Sequence, residues 1–205
     1  MNLIRLGARA AAAALLGGCN MVVTDQPLFA KVDGAGAPRF RTGVWNGAPP
    51  GCAFDETKPQ SEWPKCASAQ PPVPDPPPWL AVPGDPGILQ ISTPPDPKQP
   101  INVTLYVGYR PTRTDSVGRV VEIALWPVQC GPPPGAGDTT GLTQHMLPGL
   151  IPRKDFAACA TASKEALRHA ARASEAWAPA KAMKTHWVRD PIAGDLTGAL
   201  APPSQ

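Results

Sequence analysis

The chain has 205 residues, of which 29 are proline, and its 19 Lys and Arg stand against 16 Asp and Glu for a net charge of +3. That near-balance excludes the concentrated basic surface of a nucleic-acid-binding domain. The length fits one domain, and the proline content, far above the usual roughly 5 %, implies a core smaller than the length suggests.

The first eighteen residues carry Arg5 and Arg9, an alanine-rich apolar run from Ala10 to Leu16, and no acid; the first acidic residue is Asp25. A basic start, a short apolar core and a small-residue exit describe a secretory signal. The run falls far short of the roughly 20 residues that span a bilayer. Without these residues the remaining chain has a net charge of only +1.

Leu16-Gly17-Gly18-Cys19 resembles the lipobox of bacterial lipoproteins. The resemblance covers only the leader. It implies cleavage between Gly18 and Cys19, a thioether-linked diacylglyceride on Cys19 and an acylated new amino terminus, so that membrane lipid becomes the first partner. Asn20, rather than Asp, follows the cysteine. By the same resemblance that implies the outer membrane, facing the periplasm. The expected organisation is a signal peptide (1–18), a lipidated tether (19–38), one small domain (39–192) and a flexible tail (193–205).

Beyond the tether, Arg39–Trp45 has only weak alternation and reads as a short strand. In 51–67, Cys52 and Cys66 bracket Phe54 and Trp63, a compact loop with its own packing groups. Residues 71–100 include 12 prolines. That density favours polyproline II and bars a buried strand, since each ring removes a donor. The segment is expected as a rigid spacer or a strap across the domain, broken by a short edge strand at Gly87–Ser92.

Residues 101–110 alternate strictly, with Leu105, Val107 and Tyr109 on one face and Thr104, Tyr106 and Gly108 on the other. Residues 120–126 alternate again. These predict an antiparallel hairpin whose loop is Pro111–Gly118. From Asp155 to Trp177 there is no proline or glycine, and Leu167, Ala170, Ala171 and Ser174 fall on one stripe. That predicts one long amphipathic helix. Ala180–Val188 is expected to resume as a short helix after Pro179. The expected fold class is α+β: a small antiparallel sheet or hairpin covered by one long helix, with proline-rich extended segments and disulfides.

Four cysteines remain after Cys19, and an exported chain with an even number is expected to pair them. Cys52–Cys66 staples a loop poor in regular structure; Cys130–Cys159 links a strand end to the first turn of the helix. Crossed pairings stay open at this point. A nucleophilic Cys159 near His145, His169 or His186 would strand another thiol. The histidines lack metal-ligand spacing. Glu122 with Asp115, Asp138 or Asp155 is the best available acid pair. Nothing points to a cofactor.

The tryptophans permit two readings. One packs them beside the disulfides and on the sheet; the other displays Trp45, Trp79, Trp126 and Trp187 as a surface for cell-wall glycan or an envelope protein. Lys164, Arg168 and Arg172 form a basic streak on the helix that anionic lipid would suit, although such streaks are usually solvated faces. The expected function is therefore a lipid-anchored envelope protein with a structural or binding role, not an enzyme. A peptidoglycan-acting hydrolase is the alternative.

Overall fold

The computed structural model describes residues 20–49, 51–67, 72–92, 103–133, 145–154, 157–177 and 183–195. Cys19, Asp138, Asp155 and the apolar leader lie outside them.

The strongest alternation builds the centre of the sheet. Strand β5 (Thr104–Thr114) pairs antiparallel with β6 (Val120–Pro127) and β4 (Gly87–Ser92). The expected small sheet or hairpin is too modest: the sheet has seven strands, in the order β2-β9-β6-β5-β4-β3, with β1 also on β5. Strands β1 (Val23–Thr24), β2 (Val44–Asn46), β3 (Leu80–Val82) and β9 (Met183–Arg189) supply the rest. All its ladders are antiparallel, while isolated parallel bridges at Val22–Cys159 and Phe40–Val120 make the full pairing mixed.

Three corrections explain the extra strands. Residues 183–189 are a strand between β2 and β6, not a short helix. Their local pattern also alternates, and two strand partners from distant parts of the chain decide between the periods. Gly87–Ser92 is not an edge strand; β3 and β5 flank it. Strand β5 runs through Pro111 to Thr114, so only Asp115–Arg119 turns the hairpin. Pro111 is tolerated there because pairing with β4 ends at Tyr109, leaving β5 one neighbour.

Helix α1 (Lys164–Trp177) covers one face, burying the predicted stripe of Leu167, Ala170, Ala171 and Ser174. It starts nine residues later than the sequence implies. Ser163 Oγ accepts the Ala166 N–H at 3.1 Å, an N-cap bond that fixes the start. Ahead of it, β7 (Ile151–Pro152) and β8 (Cys159–Ala160) form a separate two-stranded ladder. Cys159 is therefore on a strand, not in the first helical turn. The core under the helix includes Val22, Ile88, Tyr106, Val128 and both half-cystines of 130 and 159.

The opposite face carries Phe40, Trp45, Trp79, Leu89, Val107, Tyr109 and Ile123. Residues 72–79 lie over it. Val73 exchanges both backbone hydrogen bonds with Gly43, just before β2, and Leu80 opens β3 at the other edge. From Val73 to Leu80, polyproline-like chain reaches about 22 Å, close to the roughly 24 Å width of a six-strand row. Within the described residues the proline-rich segment is thus a strap.

Residues 20–38, expected as a tether, are docked on the sheet at several points. Thr24 pairs with Thr104, and Phe29 is clamped at both its N–H and C=O by the buried Gln90 amide, at 2.8 and 2.9 Å. Residues 193–195 are likewise docked: Asp195 accepts the Gln60 N–H and pairs with Arg189.

Candidate functional site

The described residue nearest the expected lipid anchor is Asn20, and it is buried. Its N–H donates to Ala157 O at 2.8 Å, its carbonyl accepts the Cys130 N–H at 2.7 Å, and Nδ2 donates to Gly131 O at 3.0 Å. Its φ is +115°, and no other described non-glycine residue has a positive φ. Asn tolerates that region better than most side chains. The next residue, Met21, accepts the Cys159 N–H at 3.2 Å. Both half-cystines of one disulfide therefore hydrogen-bond the first two residues after Cys19.

That disulfide, Cys130–Cys159, and the second, Cys52–Cys66, are both present, each with Cα atoms 5.8 Å apart. The favoured pairing is the observed one, and the crossed pairings are excluded. Cys130 and Cys159 are fully buried; Cys66 is exposed and Cys52 half-buried. Within the outer loop Phe54 and Trp63 pack at 4.8 Å between centroids. With all four thiols coupled, a nucleophilic Cys159 is ruled out for this state.

The four tryptophans proposed as a surface separate into two pairs. Trp45 and Trp126 are buried, so they do not form an exposed strip. Trp45 donates to Arg41 O at 2.8 Å, and Trp126 donates to Ala171 O of the helix at 3.0 Å. Trp79 and Trp187 are half-buried. Trp79 makes an edge contact with Phe40; Trp187 donates to Thr42 O and lies under the Arg41 guanidinium, 3.4 Å from the ring centre.

The helix's basic streak is committed to the fold. Lys164 pairs with Asp33 at 2.7 Å and, through that hydrogen bond first, holds the Asp33 carboxyl below its usual range. Arg168 donates to Pro83 O and Arg172 to Asp85 O. Arg110, missed by the sequence reading, grips Glu175 of the helix through two bonds at 2.7 and 2.9 Å and Asp85 at 2.8 Å. Period alone could not single it out, because its partners lie far along the chain.

Among the described residues the acid pair does not assemble; Asp138 and Asp155, the other candidate partners of Glu122, lie outside them. Asp115 is held by Arg119, and Glu122 by Thr112 and Arg113. His186 meets Glu56 at 2.9 Å. No group of three metal-ligating side chains occurs among the described residues. A cleft of about 160 Å³ lies among Pro38, Pro83, Pro86, Tyr109, Arg110 and Pro111. Ligand pockets usually run to roughly 300–1,000 Å³. Burial pushes the Tyr109 hydroxyl up to about 12, so it stays protonated at neutral pH. No helix among the described residues is long and apolar enough to cross a membrane.

No family model matches the chain, and no curated protein or solved structure matches it.

Proposed function

We propose that the chain is a lipid-anchored protein of the bacterial cell envelope, held through Cys19 at the outer membrane on its periplasmic side, with a structural and non-enzymatic role. The leader and the Leu-Gly-Gly-Cys sequence support the anchor. Two closed disulfides suit an oxidising compartment.

One observation carries the structural role. The anchor residue is followed at once by backbone that a buried disulfide holds from both sides, Cys130 on Asn20 and Cys159 on Met21. A pull on Cys19 is passed into the central sheet and, through Cys159, to the β7–β8 ladder. Trp79 and Trp187 keep part of their surfaces open, and a cell-wall glycan or envelope protein would meet the molecule there.

The test is the intact mass of protein extracted from membranes, with and without reduction. Acyl mass on Cys19 and a gain of four hydrogens on full reduction are expected. An unacylated protein with four free thiols overturns the reading. For the partner, retention on purified cell wall is expected to fall on Trp187→Ala when both proteins are compared well below their unfolding midpoints, the variant's being lowered by loss of the Thr42 bond and the Arg41 stacking.

A further inference from the structure

We infer that the domain sits flush on the lipid headgroups, with the collar around Asn20 as its membrane-contact face. This rests on the proposed acylation of Cys19. A slack tether of about twenty residues would let the body wander roughly 25 Å from its anchor. The structure leaves no such slack, because Asn20 is already 97 % buried and bonded through its N–H, C=O and side chain. Consecutive Cα atoms are 3.8 Å apart, so the acylated residue lies one step from buried, hydrogen-bonded backbone. Only the torsions of Cys19 and of its thioether-glyceryl group separate the body from lipid.

The polar headgroup layer is roughly 5–7 Å deep on each side of the hydrocarbon. A group fixed within one residue of the glyceryl carbon therefore lies at headgroup level, and so do its close neighbours. Ala157 and Gly131, whose carbonyls are taken up by Asn20, mark the collar. Pro133 is exposed, and Pro132 is half-buried beside it. Lys154, in the connection between β7 and β8, is exposed and cationic. Ala157, at the far side of that connection, is the residue to which Asn20 donates. An ammonium is favoured next to anionic headgroups.

The geometry also names the opposite pole. Met21 bridges Gln129, two residues past the end of β6, whereas the β5–β6 turn at Asp115–Arg119 lies ten residues away, roughly 30 Å along extended chain. Exposed Val117 thus points away from the membrane.

Lysine footprinting tests this on the full lipidated protein in vesicles of phosphatidylethanolamine and phosphatidylglycerol. The reference is a soluble Cys19→Ser version beginning at position 19, so that the buried Asn20 N–H stays an amide, with both disulfides closed. Acylation of Lys154 is expected to slow at least fivefold on vesicles, with exposed Lys184 on β9 unchanged. A Gly/Ser insert of about ten residues between Cys19 and Asn20 restores the soluble rate at Lys154 without changing lipid attachment. Lys154 reacting at the soluble rate in protein whose mass shows acylated Cys19 overturns the flush seating and leaves the anchor standing. Absence of acyl mass overturns both.

Discussion

Trp126 of β6 lies directly opposite Gly108 of β5, and its indole occupies the space where a Cβ on that glycine would be. The same ring donates from Nε1 to Ala171 O, so one side chain joins two strands to the helix. On the other face the Tyr109 ring covers Gly87 in the same manner. Each glycine is required by a close approach rather than by backbone conformation. Gly108→Ala is therefore expected to destabilise the fold by roughly 1–3 kcal/mol through overpacking. Gly118→Ala, at a positive φ of 78° with open space around it, is expected to cost about 1 kcal/mol from backbone strain. Urea unfolding of the two variants, followed by tryptophan fluorescence, checks the order.

Tyr106 ties the N-terminal arm to the central strand. Its hydroxyl meets Thr24 Oγ1 at 2.7 Å and accepts the Leu28 N–H at 3.2 Å in a buried setting. Tyr106→Phe leaves the Leu28 N–H without its acceptor, while Thr24 Oγ1 keeps its bond to Gln26 O at 2.6 Å. A loss of roughly 1–3 kcal/mol is expected, with faster amide exchange concentrated in residues 20–30.

The two disulfides differ in access. Limited reduction followed by alkylation is expected to label Cys52 and Cys66 first, because Cys66 is exposed while Cys130 and Cys159 are fully buried. Replacing both Cys130 and Cys159 by Ser should cost about 3.5 kcal/mol on loop entropy alone, for a separation of 29 residues. Thermal unfolding of the oxidised variant measures it. The Cys52–Cys66 double variant is expected to lose about 3 kcal/mol.

The 190–195 segment supplies a pH dependence. The Arg189 guanidinium, with the Ile192 and Gln60 N–H groups, holds the Asp195 carboxyl far below its ordinary 3.8. A carboxylate depressed in the folded state stabilises that state fully above its unfolded pKa. The contribution is then lost as pH falls through about 4 toward the folded value. Asp195→Asn is expected to lower stability near pH 6 by roughly 2 kcal/mol and to flatten the acid limb relative to the unaltered protein. Urea midpoints measured between pH 2 and pH 7 show whether the two curves converge at the acid end.

Much of what the chain could say locally was true of the molecule. The alternation of Leu105, Val107 and Tyr109 against Thr104, Tyr106 and Gly108 appears as a strand buried on both faces. The stripe of Leu167, Ala170, Ala171 and Ser174 appears as the helix's buried side. Each is a periodic pattern within one element, and burial of its apolar face is enough to select the period. That the four cysteines pair was legible from their even number, while the choice of Cys52–Cys66 and Cys130–Cys159 over crossed pairings is made by the structure.

What only the tertiary structure decided involves partners distant in sequence. Met183–Arg189 can be drawn as helix or strand until β2 and β6 present their open edges to it. Val23–Thr24 is too short to announce itself and is held by β5, some eighty residues later. Trp45 and Trp126 offered themselves as a surface, yet a large aromatic ring close to a sheet gains more by burial. Asn20 drew attention only as the residue after the expected anchor. Its role as the buried attachment to a disulfide emerges when 130 and 157 are folded against it, because hydrogen bonds across more than a hundred residues leave no periodic trace in the chain.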